Sequence, residues 1–225
     1  SPRHAGAVSQ PVFQSSTFEY SGESTYHNIR YIRLNNTPNH EVLHRKLADL
    51  EQGEAALVTS SGMAAITTTL LALLGNGDHL LAQKSLYGGT HHFITHDLEK
   101  LGIGHDLIDA QQPASWEALV KPTTRVIYVE AISNPLMEVG DLEAIVAFAR
   151  ENNLVSIIDN TFATPVNFLP LELGLDLSIH SATTYPNGHT DIVAGAVIGS
   201  AKRVGQILPM LNHLGGTLDP HACFL

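Results

Sequence analysis

Cysteine is nearly absent from this sequence, since Cys223 is the one cysteine among 225 residues. A single cysteine excludes an internal disulfide framework and any zinc site built from several cysteines, and it fits a reducing cytosol. Basic residues are also few: 12 Lys and Arg stand against 22 Asp and Glu, which gives a net charge of −10. That charge argues against sequence-independent binding to a nucleic-acid backbone.

Long apolar runs are absent as well. No run of about 18 apolar residues exists, which is the length that a membrane-spanning helix needs. The first residues, SPRHAGAVSQPVFQ, have no apolar core of the kind found in a signal peptide. Hydrophobic residues nevertheless make up 44% of the chain, enough to form a core. We therefore predict a globular protein of the cytoplasm without nucleic-acid or membrane partners.

Short apolar runs alternate with helical periodicity along the middle of the chain. The predicted strands are 55–59, 79–82, 125–130, 154–159, 176–180 and 192–198. The predicted helices are 63–74, 89–101, 141–152 and 201–211. Nearly continuous apolar strands between helices are typical of a mostly parallel sheet that is covered on both faces. The pattern predicts a three-layer α/β domain over residues 39–225.

Residues 1–38 depart from this alternation. Turn-forming residues occur at Gly22 and over 35–38, and no periodic segment lies between them. A segment of this length is unusual as a loop inside a compact domain. We predict an N-terminal arm that reaches across the surface of a neighbouring subunit.

Polar residues follow several predicted strands, at the edge where open parallel sheets bind ligands. Gly62 and Met63 begin a helix directly after a strand, so their backbone N–H groups could bind a phosphate, or could belong to an ordinary turn. The phosphate fingerprints GxGxxG and GxxxxGK[ST] are both absent, which disfavours a dinucleotide or a nucleoside triphosphate.

Three further positions are candidates on their chemistry alone. Asp159 ends a strand, where a carboxylate could hold a metal, a ribose or a cationic ring nitrogen, or could simply cap a turn. Ser181 and Thr183 end another strand and carry hydroxyls that suit a phosphate, although such residues are common in turns. Arg33 could hold a phosphate through its two-pronged guanidinium, or be a solvated surface residue.

One competing motif points to zinc. His40, Glu41 and His44 spell HExxH, the helical pattern of two zinc ligands and a general base. His40 falls in the first turn of its helix, and no third ligand follows at a recognisable spacing. A zinc hydrolase is therefore only a weak alternative, and we expect no metal.

Seven segments, taken in order, resemble one enzyme family. They are GAVSQPVFQSSTF, YIRLNNTP, HRKLADLEQGEAALVTSSGMAAI, LYGGT, VEAISNPLMEVGDL, IIDNTFATP and HSATTYPNGHTDIVAG. From about Ala7 to Leu225 the chain resembles the trans-sulfuration enzymes of cysteine and methionine metabolism (cystathionine γ-synthase, cystathionine lyase and related), which depend on pyridoxal 5′-phosphate (PLP). The resemblance implies the type I, aspartate-aminotransferase-like PLP fold, with residues 39–225 as the PLP-binding large domain and an amino acid as substrate.

The resemblance also implies roles around the cofactor ring. Asp159 matches the carboxylate that pairs with the pyridine N–H and keeps the ring electron-withdrawing. Tyr87 matches the aromatic residue that stacks on the ring and can take part in proton transfer. Asn134 matches a residue beside the phenolic oxygen of the cofactor.

A second set of matches concerns the phosphate. Gly62 and Met63 match backbone N–H donors to it, and Ser181 and Thr183 match hydroxyl donors.

The predicted arm supplies the remaining phosphate contacts in this resemblance. Tyr31 and Arg33 match a pair that reaches the phosphate of a neighbouring subunit. The resemblance therefore implies a homodimer or homotetramer with sites at the subunit interface.

One departure outweighs these matches. The family has lysine between the Thr and Tyr of the segment SATTY, where it forms the Schiff base with PLP, and this sequence has Thr184 there. A hydroxyl cannot form an imine or replace the amine that shuttles protons. Of the five lysines in the chain, Lys84 is the only one that we expect near the site. Pro186 is a second oddity, since proline restricts the residue before it.

The end of the sequence is a further departure. The family continues into a smaller α/β domain, which supplies the arginine that binds the α-carboxylate of the substrate. Because the sequence stops at Leu225, we interpret the chain as C-terminally truncated and expect that domain to be missing.

Three hypotheses of function stay open. The first is a PLP-dependent enzyme catalysing β- or γ-elimination or γ-replacement on sulfur amino acids or O-acylhomoserine, impaired at Thr184. The second is a catalytically inactive chain that still binds PLP or dimerises, and the third is the zinc hydrolase. The motifs do not distinguish γ-synthase, β-lyase, γ-lyase and sulfhydrylase.

Overall fold

A computed structural model describes residues 4–225, so the first three residues of the predicted arm lie outside the described residues. Within residues 4–225 the chain forms a seven-stranded sheet of order β1-β7-β6-β5-β4-β2-β3. The strands are β1 (Ala55–Thr59), β2 (His79–Gln83), β3 (Gly104–Ile108), β4 (Thr124–Glu130), β5 (Val155–Asp159), β6 (Leu177–Ser181) and β7 (Gly195–Gly199). β7 runs antiparallel to β1 and β6, and the other neighbours are parallel. The prediction of a mostly parallel α/β sheet is confirmed.

Helices cover both faces of this sheet. They are α1 (Pro38–Glu51), α2 (Gly62–Leu73), α3 (Gly88–His92), α4 (Leu98–Lys100), α5 (Leu142–Glu151), α6 (Thr164–Asn167), α7 (Pro170–Leu173), α8 (Ala201–Leu214) and α9 (Pro220–Phe224). Capping side chains begin two of the helices that were predicted. The Ser61 hydroxyl accepts the Ala64 N–H at 3.0 Å, and the Asp141 carboxylate accepts the Ala144 N–H at 3.0 Å.

The core lies in two main layers, one on each side of the sheet. On one side α2 packs on α8, and their fully buried Leu70 and Leu211 meet Val197 of β7. On the other side Ile145 of α5 packs with Trp116, whose indole N–H donates to the Asp109 carbonyl at 2.7 Å. The inner strands are therefore buried on both faces, which is why they are apolar almost throughout.

Several predicted boundaries need correction. Strand β3 was not predicted, because it is a partly exposed edge strand whose residues GHDLI lack a continuous apolar run. The helix predicted over 89–101 contains a π-helical segment, Phe93–Asp97, between α3 and α4. The strand predicted over 192–198 begins at Gly195, after an irregular stretch. These errors concern the ends of elements and one edge, where periodicity is a weak signal.

The arm is mostly irregular, as predicted, with two short 3₁₀ turns at Tyr26–Asn28 and Ile32–Leu34. Asn39 of α1 fastens it to the domain: its side chain accepts the Phe13 N–H at 2.8 Å and donates to the Pro11 carbonyl at 3.0 Å. Helix α1 begins at Pro38, the last residue of the predicted arm. Contact of the arm with a neighbouring subunit remains a prediction.

Candidate functional site

A cavity of about 360 Å³ opens where the carboxyl ends of β4, β5 and β6 meet the N-terminus of α2. Eight of the ten predicted site residues line it: Gly62, Met63, Tyr87, Asn134, Asp159, Ser181, Thr183 and Thr184. Its volume lies within the range of small-ligand and cofactor sites. Segments that are far apart in the sequence thus converge on one cavity, as parallel-sheet topology predicts.

Asp159 is the buried acid at the centre of this edge, and 9% of its surface is exposed. Its Oδ1 accepts both the backbone N–H of Thr161, at 3.0 Å, and the Thr161 hydroxyl. Thr161 is itself held in place, because its oxygen accepts the Ser181 N–H at 2.8 Å. Burial is the main influence on Asp159 and raises the pKa of its carboxyl, while the Thr161 hydrogen bonds lower it. Because no cationic side chain of residues 4–225 lines the cavity, a cationic ring nitrogen bound there would place an opposite charge beside this buried carboxylate.

Glu130 is a second carboxylate in the cavity, at the end of β4 and paired in register with Asp159. One of its oxygens accepts the Tyr87 N–H at 2.7 Å, and the other accepts the Asn134 N–H at 2.9 Å. Burial raises the pKa of Glu130 to about 7, with the nearby Asp159 charge adding to the rise. Glu130 therefore positions the backbone of two predicted site residues and adds a group that titrates near neutrality.

The N-terminus of α2 lies directly against the end of β6. A Cβ atom at Gly62 would lie 2.8 Å from Ser181 Cβ and 3.0 Å from Ser181 Oγ, so only glycine fits there without displacement. The first N–H groups of a helix have no partner within the helix, and the helix dipole favours negative charge at this end. The Gly62 and Met63 N–H groups and the Ser181 hydroxyl therefore form a cradle that suits a phosphate.

Thr183 is already engaged elsewhere. Its hydroxyl donates to the Ala194 carbonyl at 3.2 Å and accepts the Ala194 N–H at 3.1 Å. A phosphate would have to compete with these bonds for the hydroxyl proton. The structure thus gives Thr183 a role in tying down the loop that follows β6.

Tyr87 stands at the entrance of the cavity and is 49% exposed. Gly89 makes room for its ring, since a Cβ atom there would lie 2.8 Å from Tyr87 Cε1 and 3.0 Å from Met63 Sδ. The backbone of Tyr87 is fixed by the hydrogen bond from its N–H to Glu130, while its ring is exposed at the cavity entrance. The ring is therefore available to stack on a planar ligand.

Thr184 lies in the cavity wall at the position where the resemblance places lysine. Its hydroxyl donates to the Ser181 carbonyl at 3.0 Å. The expectation that Lys84 lies near the site is wrong, because its ammonium pairs with Asp109 at 2.6 Å and the residue does not line the cavity. Among residues 4–225, no Lys, Arg or His lines this cavity.

Tyr31 and Arg33 are the two predicted residues that the structure does not bring to this cavity. Arg33 donates to the Asn212 carbonyl of α8 at 2.9 Å and to the Tyr26 hydroxyl, and it stacks over the Tyr31 ring with its Cζ 5.4 Å from the centroid. Both residues therefore lie on another surface of the same chain.

The HExxH motif lies in α1, away from the cavity. The Nε2 of His40 donates to the Leu218 carbonyl at 2.7 Å, and its Nδ1 accepts the Thr37 hydroxyl at 2.8 Å. Both ring nitrogens thus contribute to the structure of the helix N-terminus. Over residues 4–225, no group of three or more His, Cys, Asp and Glu side chains is arranged to hold a metal ion.

Glu130, Thr161 and Phe162 also line the cavity but were not among the predicted site residues. A signal was available for the first two, since Glu130 ends an apolar strand in the same way as Asp159, and Thr161 follows Asp159 by two residues. Their hydrogen bonds to Tyr87, Asn134 and Ser181 depend on contacts between distant segments, which no local pattern reveals.

The seven-stranded sheet with helices on both faces is the fold of the type I PLP-dependent enzymes. The family model described as Cys/Met metabolism PLP-dependent enzyme matches residues 1–225. The chain belongs to this family, whose cofactor is PLP.

Individual relatives agree with this assignment. The chain is 38% identical over 221 residues to cystathionine gamma-lyase of Bacillus subtilis (strain 168). This match covers 98% of this chain and 58% of that protein. The chain is 40% identical over 230 residues to L-methionine gamma-lyase of Pseudomonas putida, covering 97% of this chain and 57% of that protein. The structure of cystathionine gamma-lyase from Lactobacillus plantarum complexed with L-serine superimposes with a TM-score of 0.91 at 35% identity, over 98% of this chain and 57% of that one.

The chain thus spans somewhat more than half the length of these relatives. None of the helices in residues 4–225 combines the length and apolar character needed to cross a membrane.

Proposed function

We propose that the cavity holds PLP, with the pyridine ring over Asp159 and the phosphate at the N-terminus of α2. Two observations support the fit: Asp159 is a buried carboxylate without a cation in the cavity, and Gly62 lets the N-terminus of α2 approach Ser181 closely, which places helix N–H groups beside the Ser181 hydroxyl. When bound, PLP supplies an electron sink for a carbanion at the Cα of an amino acid. Asp159 would keep the ring nitrogen protonated, and Tyr87 would cover one face of the ring.

We further propose that the whole protein acts on sulfur amino acids or O-acylhomoserine, by β- or γ-elimination or by γ-replacement. The family and the relatives support this class of reaction.

The same proposal includes an impaired reaction. Thr184 offers a hydroxyl where the family's lysine would attach the cofactor and move protons, and general acid–base help of that kind is worth about 10²–10⁴ in rate. A chain that binds PLP or dimerises without turning over substrate is the alternative.

We propose that Tyr31 and Arg33 contact the phosphate bound by a neighbouring subunit in a dimer or tetramer, and that the protein works in the cytoplasm. Both residues lie outside the cavity of their own chain, which is compatible with a role at another copy's site.

One observation carries the proposal: eight residues chosen from motifs converge on a single cavity, and Thr184 is among them. The test is to incubate the chain with PLP, treat it with borohydride and locate adducts by peptide mass spectrometry. We expect saturable binding but no lysine adduct in the unaltered chain, and an adduct at the new residue in Thr184→Lys.

The matched control is Thr184→Gln, which has a side chain of similar reach but no amine, and which should form no adduct. A stable adduct on a lysine of the unaltered chain contradicts the argument from Thr184. If Thr184→Lys folds but also forms none, the cavity is not the PLP site.

A further inference from the structure

Among residues 4–225, the charged side chains that line the cavity are all acidic. Glu130 and Asp159 both line it, and no cationic side chain of residues 4–225 does. Both acids are largely removed from water, with 3% and 9% of their surfaces exposed. Two buried carboxylates favour a ligand that brings more than one positive charge with it.

Asp159 and Glu130 would each face a different positive charge of such a ligand. A protonated pyridine nitrogen neutralises one carboxylate, as proposed above for Asp159. Glu130 is left with only neutral donors, the backbone N–H groups of Tyr87 and Asn134, at 2.7 and 2.9 Å. Each carboxylate oxygen can accept a second hydrogen bond, so Glu130 retains capacity for a cationic donor.

Thr184 adds an acceptor to the same wall. Its hydroxyl proton is used by the Ser181 carbonyl at 3.0 Å, so the oxygen presents lone pairs rather than a donor to its surroundings. A lysine at this position would repel an ammonium group, whereas threonine accepts a hydrogen bond from one. Because the cavity lacks the lysine amine, its lining suits a ligand that carries an amino group of its own.

We propose that this cavity selects the amine form of the cofactor, pyridoxamine 5′-phosphate, over the forms with a neutral 4′ group. This inference rests on the proposed PLP site, because the ring and phosphate contacts are the same. The aminomethyl group is positively charged and carries three donor hydrogens, which Glu130 and Thr184 would accept if the group faced this wall of the cavity. The hydroxymethyl group of pyridoxine 5′-phosphate has the same shape but no charge, so the comparison of these two ligands isolates the effect.

The experiment is isothermal titration calorimetry of the full chain at pH 8 with each of the two ligands. Burial raises the pKa of Glu130 to about 7, so its carboxylate is ionised at this pH. We expect pyridoxamine 5′-phosphate to bind at least about tenfold more tightly, as suits one charge-assisted hydrogen bond. The ratio of the two dissociation constants is the readout, so partial misfolding of a variant does not distort it.

Variants identify the residues that are responsible. Glu130→Gln should bring the ratio close to one, and Thr184→Lys should reverse it. The matched control Glu117→Gln removes a carboxylate that is exposed and outside the cavity, and should leave the ratio unchanged.

The outcomes separate this inference from the proposal beneath it. If both ligands bind equally well, the PLP site stands and the selection of the amine form is refuted. A tenfold preference that persists in Glu130→Gln also refutes the argument. If neither ligand binds, the cofactor site and the inference fail together.

Discussion

Replacing Gly62 with alanine tests the contact between α2 and the sheet. The new Cβ would lie 2.8 Å from Ser181 Cβ and 2.9 Å from Ser181 Cα. Both atoms are fixed at the end of β6 and cannot rotate away, so the N-terminus of α2 has to move off the strand. Overpacking of this kind typically costs about 1–3 kcal/mol of unfolding free energy.

Gly205 provides the matched control for this measurement. It lies in α8, where a Cβ atom would meet nothing within 4 Å, so Gly205→Ala should stabilise the chain by about 0.5–1 kcal/mol. Urea unfolding followed by the fluorescence of Trp116, the one tryptophan, measures both variants. The two substitutions are chemically identical and should shift stability in opposite directions.

Ligand binding supplies the second readout for Gly62→Ala. A shift of the helix N-terminus misplaces the N–H groups proposed to hold the phosphate, and the loss of one hydrogen bond to a charged group costs about 1.5–3 kcal/mol. We expect PLP affinity to fall by about 10- to 150-fold in Gly62→Ala and to stay constant in Gly205→Ala. Unchanged stability and affinity in Gly62→Ala would refute the argument from close packing.

Two further predictions concern buried polar groups. Glu51→Ala should lower the free energy of unfolding in urea by about 3–5 kcal/mol. Glu51 is buried and binds His180 and, at 3.0 Å, the Asn160 amide, so both would lose their shared partner. A decrease below about 1 kcal/mol would contradict this reasoning. Burial lowers the pKa of His40 from 6.5, so the unfolded chain binds the extra proton and stability falls as pH decreases below about 6.5. His40→Gln should flatten this slope by up to about 1.4 kcal/mol per pH unit, and an unchanged slope of unfolding free energy between pH 6.5 and 5 would assign the acid sensitivity to other groups.

The sheet could be predicted where its strands are buried on both faces. Runs such as LVSIID are apolar because both sides meet helices, and they end in a polar residue where the sheet ends. Asp159 could therefore be placed at the ligand-binding edge from its position alone. Strand β3 could not be predicted, because an edge strand with polar residues has no such signature.

Many of the residues that line the cavity could be predicted from the sequence, but the hydrogen bonds that hold them in place could not. The motifs identified eight residues that line the cavity and missed Glu130. They also did not reveal that Thr183 is engaged by Ala194, or that Glu130 accepts two backbone N–H groups. These bonds depend on how the turns after β4 and β6 fold back. That geometry is set by tertiary packing, and local residue preferences do not encode it.

Because β7 is antiparallel to β6, the segment that carries Thr184 is a connection at the edge of the sheet and is not part of a strand. Because β7 runs opposite to β6, residues 182–194 leave and re-enter the sheet at the same edge, between the paired Ser181 and Gly195. Thr184 and Pro186 lie in this connection between β6 and β7, which contributes no strand to the sheet. A lysine at position 184 would therefore change the wall of the cavity without altering any strand pairing, so the seven-stranded sheet does not depend on which side chain stands there.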